Sequence, residues 1–181
     1  RASKNEKFAV YPYLHERVHS KGQLAFLAAC GVKTILLSES STTTFSYFSS
    51  YQFNAHAFTV ELGKVRPFGQ NDMSRFEDAR QAITQLITQA EYAPTVDMDE
   101  LDIYRVNQVI NRNEEQFTLH FDDDTPNFTD YPKGTVLASE PGKEYIAEQD
   151  GEAIVFPNAK VAIGQRALLT VVPTTLDKLD V

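Results

Sequence analysis

Residues 20–37 read SKGQLAFLAACGVKTILL and predict a helix that passes into a strand. Ser20 is a suitable N-cap, Leu24, Phe26, Leu27 and Ala28 supply apolar contacts, and Gly31 suits the position just after a helix end. Residues 32–37 form a mostly apolar run between glycine and serine, which is typical of a strand covered on both faces. A helix leading into a buried strand predicts an α/β sheet.

The sequence on both sides of this segment continues the α/β pattern. Residues 8–13 predict a short strand interrupted by Pro12, and residues 55–62 (AHAFTVEL) predict a second buried strand. Residues 38–50 are rich in serine and threonine and predict a loop. Residues 72–92 predict a long helix with one apolar stripe that we expect to face a core. The stripe consists of Phe76, Ala79, Ile83, Leu86, Ile87 and Ala90.

The pattern changes after residue 100. Residues 94–100 are polar, contain Pro94 and lack periodicity, so we interpret them as a linker. Asp150-Gly151, between two β-prone runs, predicts a hairpin. Several short strands are predicted beyond the linker, over residues 101–110, 117–121, 135–138, 144–147, 152–156 and 167–172. We therefore predict three parts: residues 1–93 as part of an α/β domain, the linker, and residues 101–181 as a small all-β barrel or sandwich.

Composition and charge restrict the class of protein. The chain has 181 residues, of which 42% are hydrophobic, and this argues against disorder. Its net charge of −8 argues against nucleic acid or an anionic membrane as partner, and no apolar run is long enough to span a bilayer. Residues 1–95 carry ten basic and eight acidic residues, whereas residues 96–181 carry seven and seventeen, which favours two units. The single Cys30 excludes an internal disulfide and a cysteine-based zinc site, and it favours a cytoplasmic protein.

Residues 15–19 spell H-E-x-x-H, a motif that binds zinc when both histidines lie on one helix face. The motif follows a proline-interrupted extended segment, Gly22 comes three residues after His19, and no third ligand is obvious. We therefore interpret it as an exposed loop or short turn with solvated histidines, and a small metallopeptidase is one alternative function. His56 is predicted to be a buried, hydrogen-bonded histidine of the second strand.

Glu61 is the candidate catalytic residue. It lies near the end of an otherwise apolar predicted strand, directly before Leu62 and Gly63. Ligands of open α/β sheets collect beyond the carboxyl ends of strands, and partial burial there raises a carboxyl pKa toward the value that a general acid/base needs. The alternative is a structural pairing of Glu61 with Lys64 or Arg66.

A resemblance supports the catalytic interpretation. Residues 59–64 (TVELGK) and 67–72 (PFGQND), with Thr44-Phe45-Ser46 and Phe48-Ser49 upstream, closely resemble the desuccinylase/aspartoacylase family in its desuccinylase branch. The resemblance covers residues 1–92 well and the C-terminal part more weakly. It implies a zinc-dependent amide hydrolase with a carboxypeptidase-like α/β domain followed by a β domain. The implied substrate is N-succinyl-L-glutamate, cleaved to succinate and L-glutamate in arginine breakdown, with Glu61 moving the proton.

The resemblance also implies where the metal is bound. The family holds one zinc ion through an H-x-x-E pair and a later histidine in a D-L-H-T-A-I-R string. None of these ligands is present in the sequence, and the arginine of that string would fall at Arg1. We therefore assign no metal ligand within the chain, and we expect the zinc ligands before Arg1. On this interpretation the 181 residues are the C-terminal half of the enzyme and are inactive alone.

The implied substrate carries several carboxylates, so we expect cationic side chains to bind it. Arg166 interrupts an apolar run in the β domain, Lys64 follows Glu61 closely, and Arg1 matches the family string. A guanidinium suits a carboxylate better than an ammonium does, because it can donate two parallel hydrogen bonds. The alternatives are a surface role for Arg166 and a structural role for Lys64.

Two further functions stay open beside the metallopeptidase. The chain could belong to an acylase of the same family that acts on a different N-acyl amino acid. It could also be a non-catalytic binding module, because the predicted β domain loosely resembles lipoyl-type barrels. A lysine that could carry a lipoyl group is missing from the Asp150-Gly151 turn, which weakens this second idea.

Overall fold

The computed structural model describes residues 7–40, 43–64 and 66–176, and they fall into two units. We call residues 7–103, together with 175 and 176, the α/β unit, and residues 104–174 the β unit. No helix in these described residues is both long and apolar enough to cross a membrane.

The α/β unit contains a small mixed sheet. Strand β1 (Phe8–Pro12) pairs in parallel with β2 (Thr34–Ser38) and antiparallel with β3 (Thr59–Glu61), so the order is β3-β1-β2. Three α-helices and two short 3-10 helices complete the part of this unit that the structure describes. The α-helices are α1 (Lys21–Ala29), α2 (Phe45–Phe53) and α3 (Glu77–Thr88), and the 3-10 helices are Met73–Phe76 and Met98–Glu100.

The passage from α1 to β2 forms as the sequence predicts. Gly31 adopts a φ of +75°, its N–H donates to Ala28 O, and Val32 N–H donates to Leu27 O, which ends the helix. A Cβ atom at Gly31 would lie 2.9 Å from Oδ2 of Asp78, which belongs to α3, so this position also needs glycine for space. Four of the five β2 residues are buried, which confirms the covered strand.

The core of the α/β unit brings α1 together with the sheet. Leu24 and Leu27 from α1 are fully buried in one cluster with Ala9 from β1 and with Ile35 and Leu37 from β2. Each fully buried leucine or isoleucine side chain contributes about 1.5–3 kcal/mol of hydrophobic free energy. This packing fixes β1 and β2, and β3 pairs with β1.

Three predictions for the α/β unit are wrong in part. Residues 55–62 do not form a buried strand: only Thr59–Glu61 is strand, Thr59 is exposed, and Val60 and Glu61 are half-buried. The reason is that β3 is a three-residue strand bonded to β1 on one side only. Residues 38–50 are not all loop, because α2 begins at Phe45 with Thr44 as its N-cap, accepting from Tyr47 N–H.

The apolar stripe of α3 also differs from the prediction. Ala82 is buried in the core, but Ile83, Leu86 and Ile87 have 48%, 53% and 77% of their surface exposed. Ala79 and Ala82 pack against the core cluster, and the last turns of α3 extend beyond it. Of the six residues in the predicted stripe, Ala79 packs against the core cluster of the described residues, and the buried Ala82 was not part of the prediction.

The β unit is all antiparallel, with one sheet of order β4-β10-β9-β6 and a second of order β5-β7-β8. Its core consists mainly of aliphatic residues, among them Ile110, Leu137, Ile154 and Leu168. The strands are β4 (Asp102–Asn111), β5 (Thr118–Leu119), β6 (Asp130–Tyr131), β7 (Val136–Glu140), β8 (Lys143–Ile146), β9 (Glu152–Val155) and β10 (Arg166–Pro173). This arrangement confirms the predicted small all-β fold.

The predicted hairpin at Asp150-Gly151 is wrong. The strands on either side of this turn, β8 and β9, belong to different sheets. The turn is held instead near β6, because Gly151 N–H donates to Tyr131 O and Asp150 Oδ1 accepts from Lys133 N–H. The tight hairpin lies at residues 141–142, where Glu140 pairs with Lys143.

Candidate active site

Glu61 is the last residue of β3 and lies opposite Phe8, the first residue of β1. Because β3 runs antiparallel to β1, Glu61 lies at the edge of the sheet where β1 and β2 begin. The expected position beyond the carboxyl ends of the parallel strands is therefore wrong, although the residue's role stays a prediction. Gly63, with a φ of +115°, turns the chain directly after this strand.

The Glu61 side chain is half-buried. Within the part of the chain that the structure describes, no ion pair joins its carboxylate to Lys64 or Arg66. Both of these cations are exposed. The structural pairing that the sequence left open is therefore not formed among the described residues.

A group of hydroxyls lies on the face of β3 that carries Glu61. Thr59 and Glu61 share this face because side chains alternate along a strand. Thr59 Oγ1 is 3.0 Å from Ser46 Oγ at the start of α2, and Ser46 Oγ is 3.3 Å from Thr44 Oγ1. The first turn of α2 is thereby bonded to the strand that carries the candidate carboxylate. Sequence reasoning assigned no role to these hydroxyls, although Thr44 and Ser46 belong to the stretch that carries the resemblance.

The four predicted site residues are distributed over the chain. Glu61 and Lys64 lie three residues apart in the α/β unit. Arg166 is the exposed first residue of β10 in the β unit, with its guanidinium carbon 5.6 Å from the centroid of the Phe156 ring. Such an exposed cation–π contact contributes about 0.5–1 kcal/mol. Arg1 lies outside the described residues.

The described residues do not fit a zinc site. Among residues 7–40, 43–64 and 66–176, no group of three or more His, Cys, Asp or Glu side chains is arranged to hold a metal ion. The H-E-x-x-H segment forms a turn rather than a helix, as predicted, and His15 is exposed.

His19, in contrast, is only 2% exposed, so the prediction that both histidines are solvated is wrong for it. Its Nδ1 is 3.1 Å from Tyr11 OH and its Nε2 is 3.2 Å from Leu14 O. Both ring nitrogens therefore have hydrogen-bonding neighbours in the core, and neither is directed at a metal position. The buried, hydrogen-bonded histidine of this unit is His19 and not His56, which is exposed.

Two largely buried carboxylates in the β unit, Glu140 and Glu152, are held by several hydrogen bonds each. Glu140 accepts hydrogen bonds from Asn113 and from Tyr145 OH, and these lower its pKa to about 2. Glu152 is fully buried and accepts from Asn107 and Gln108. Because several donors hold each carboxylate in its charged form, neither is suited to exchange protons near neutral pH.

Comparisons with known proteins match each of the two parts of the chain to a domain of a known family. Residues 1–87 match the Succinylglutamate desuccinylase/Aspartoacylase catalytic domain, and residues 99–174 match the AstE/AspA barrel-sandwich hybrid domain. The succinylglutamate desuccinylase of Pseudoalteromonas atlantica is 63% identical over 98% of this chain and 51% of its own length. That of Idiomarina loihiensis is 53% identical over 99% of this chain and 53% of its own length. The chain thus spans about half the length of the curated relatives it matches.

Solved structures agree with these sequence matches. The succinylglutamate desuccinylase of Vibrio parahaemolyticus superimposes with a TM-score of 0.84 at 38% identity, over 95% of this chain and 50% of its own. That of Chromobacterium violaceum gives a TM-score of 0.80 at 41% identity, over 95% of this chain and 51% of its own. The predicted architecture, an α/β catalytic part followed by a small β domain, is confirmed by both. With both domain types matched in order along the sequence, the chain belongs to the succinylglutamate desuccinylase/aspartoacylase family.

Proposed function

We propose that this protein is a zinc-dependent amide hydrolase that cleaves N-succinyl-L-glutamate to succinate and L-glutamate. The observation that carries the proposal is the 63% identity, over 98% of the chain, to a protein named succinylglutamate desuccinylase. A role in arginine breakdown and a cytoplasmic location are part of the same proposal. The chain matches about half of that relative, so the proposed activity is that of the full-length natural protein.

Glu61 is the proposed general acid/base. Its carboxyl group would take a proton from the water that attacks the amide carbon. It would deliver that proton to the glutamate nitrogen as the C–N bond breaks, so one carboxyl group serves both proton transfers. Two observations support this role: the half-buried position at the end of β3, and the lack, among the described residues, of an ion pair to Lys64 or Arg66 that would give the carboxylate a structural role. Positioned acid/base action of this kind contributes about 10²- to 10⁴-fold in rate.

The proposed zinc ion, one per subunit, would be bound outside the described residues, which lack a suitable ligand set. We accordingly expect the 181-residue chain to be inactive by itself. Lys64 is proposed to bind a substrate carboxylate because it is exposed and lies three residues beyond Glu61. Arg166 is proposed for the same role from the β unit, where it is exposed, and Arg1 on the family resemblance alone.

The experiment is a substrate panel with the full-length protein. We expect kcat/KM for N-succinyl-L-glutamate to exceed that for other N-acyl amino acids by at least about tenfold, which corresponds to 1.4 kcal/mol of transition-state binding. A metal chelator should abolish turnover, and added zinc should restore it. Faster hydrolysis of a different N-acyl amino acid would replace this proposal by another acylase of the family. No hydrolysis of any panel member would contradict the enzyme assignment.

A non-catalytic binding module is not favoured, because residues 1–87 match a catalytic domain. The strands on either side of Asp150-Gly151 also do not pair with each other, which removes one of the features that suggested a lipoyl-type carrier.

A further inference from the structure

Arg17, in the H-E-x-x-H segment, contacts the end of a helix more than 30 residues away in sequence. Its Nη1 donates to Ser50 Oγ at 2.7 Å and to Ser50 O at 3.3 Å. Its Nη2 donates to Asn54 O at 2.9 Å and to Ala55 O at 3.5 Å. Carbonyl groups at a helix C-terminus lack partners within the helix, and a cation there is favoured by the helix dipole. Arg17 therefore caps α2 and holds the first residues that follow it.

A second contact holds the segment after α2 at Ala57, two residues beyond the last carbonyl group that Arg17 reaches. Gln23 of α1 donates from Nε2 to Ala57 O at 3.3 Å. Its Oε1 accepts from Tyr11 OH at 3.2 Å, and this hydroxyl lies 3.1 Å from His19 Nδ1. Gln23 and His19 are 6% and 2% exposed, so these polar groups bond to one another inside the protein instead of to water.

The segment held by these contacts leads directly into β3. Residues 54–58 join α2 to β3, have no regular structure of their own, and begin at Asn54 with a φ of +53°. Only three residue pairs set the register of β3 on β1. A slip of one residue in a strand moves every side chain to the opposite face. The placement of Glu61 therefore depends on how residues 54–58 are held.

We propose that Arg17 is a positioning residue that sets the register of β3 and thereby the placement of Glu61. This inference rests on the proposed function and adds a role for the H-E-x-x-H segment that does not involve metal. The two terminal nitrogens of the Arg17 guanidinium donate to the Ser50 hydroxyl and to three carbonyl groups at once. The single ammonium nitrogen of a lysine could not form this set of hydrogen bonds.

The test uses the full-length protein and compares Arg17→Ala and Arg17→Lys with Arg80→Ala. Arg80 is a matched control because its exposed guanidinium pairs with Glu77 on the surface of α3. We expect Arg17→Ala to lower kcat about 10- to 100-fold with KM changed less than about threefold, since misplacing a catalytic group by about 1 Å costs rate of this order. Arg17→Lys should recover part of the loss, and Arg80→Ala should behave as the wild type.

Two further measurements separate positioning from general destabilisation. Amide hydrogen exchange of residues 54–61 should become faster in Arg17→Ala, while the amides of β2 stay protected. The double variant Arg17→Ala/Glu61→Gln should be no slower than Glu61→Gln alone, because a positioning defect has no effect once the positioned group is gone. Ser50→Ala, which removes the 2.7 Å hydrogen bond but keeps the guanidinium, should show a smaller version of the same effects.

The outcomes distinguish this inference from the function on which it rests. If Glu61→Gln abolishes turnover but Arg17→Ala keeps wild-type kcat and wild-type exchange at residues 54–61, the positioning role is overturned and the hydrolase assignment stands. Additive losses in the double variant would likewise overturn it. If Glu61→Gln itself is fully active, the role of Glu61 fails, whatever Arg17 does to exchange.

Discussion

At the scale of single residues, the surroundings of Glu61 differ from those expected for it. The sequence pattern predicts a carboxylate at the carboxyl edge of a buried parallel sheet, whereas the structure has it opposite Phe8 on an antiparallel edge strand. An apolar run indicates a strand but carries no information on its direction, which the connection from α2 determines. The catalytic role of Glu61 stays a prediction from the sequence, whereas its position in the sheet could not be predicted from the apolar run.

His19 gives a residue-scale prediction for pH dependence. Burial lowers the pKa of His19, and the charges of Arg17 and His15 lower it further, although its hydrogen bond to Leu14 acts in the opposite direction. The unfolded chain therefore binds a proton at His19 more readily than the folded protein does. Stability contributed by neutral His19 should be complete above the unfolded pKa of about 6.5 and fall as pH drops below it.

The measurement is chemical denaturation of the protein between roughly pH 5 and pH 8. The free energy of unfolding of the wild type should decrease as the pH is lowered below about 6.5, and we expect this decrease to be smaller in His19→Gln. His56→Gln is the matched control, because His56 is exposed in the same unit, and it should leave the profile unchanged. A wild-type slope in His19→Gln would mean that other groups cause the acid sensitivity.

At the scale of elements, prediction succeeds where local pattern and packing agree. The helix α1, the Gly31 turn and β2 form as predicted because the apolar residues of α1, the glycine at its end and the apolar run of β2 favour the same structure, although the Ser20 side chain makes no capping hydrogen bond. The helix α2 was missed because its serines and threonines favour a loop by composition. Those side chains instead bond to the helix itself, as Thr44 does at the N-cap and Ser49 does to Phe45 O.

The two sides of α3 lead to a prediction about stability. Ala82 is buried, so Ala82→Leu should overpack the core of the 181-residue chain and cost about 1–3 kcal/mol. Ile87 is 77% exposed, so Ile87→Gln should change the free energy of unfolding by less than about 0.5 kcal/mol. Denaturant titration of both variants tests this contrast. A large loss in Ile87→Gln would show that this face is covered.

At the scale of the whole molecule, the fold class could be derived from the sequence because the residue pattern changes from helix-and-strand to short strands near residue 100. In the structure, the main segment of the α/β unit ends at residue 103. The match to the catalytic domain ends at residue 87, and the match to the barrel-sandwich hybrid domain begins at residue 99. Strand pairing in the β unit could not be derived. A turn such as Asp150-Gly151 looks the same in sequence whether its neighbours pair with each other or belong to two sheets.

The metal content of the chain is a second prediction at this scale. The described residues hold no suitable group of ligands, and both nitrogens of His19 already have hydrogen-bonding neighbours. We therefore expect the 181-residue chain, purified alone and equilibrated with zinc at neutral pH, to retain no stoichiometric metal by elemental analysis. Stoichiometric zinc that His19→Ala abolishes would instead favour the H-E-x-x-H metallopeptidase.

The proposed hydrolysis depends on the Glu61 carboxylate, and the decisive measurement is the kcat of Glu61→Gln in the full-length protein. Glutamine keeps the size of the side chain but cannot exchange a proton, so we expect kcat for N-succinyl-L-glutamate to fall about 10²- to 10⁴-fold with folding and zinc content retained. Glu39→Gln, which changes a carboxylate near His15, should retain wild-type turnover. A kcat of Glu61→Gln within a few-fold of the wild type would contradict the general acid/base role of Glu61.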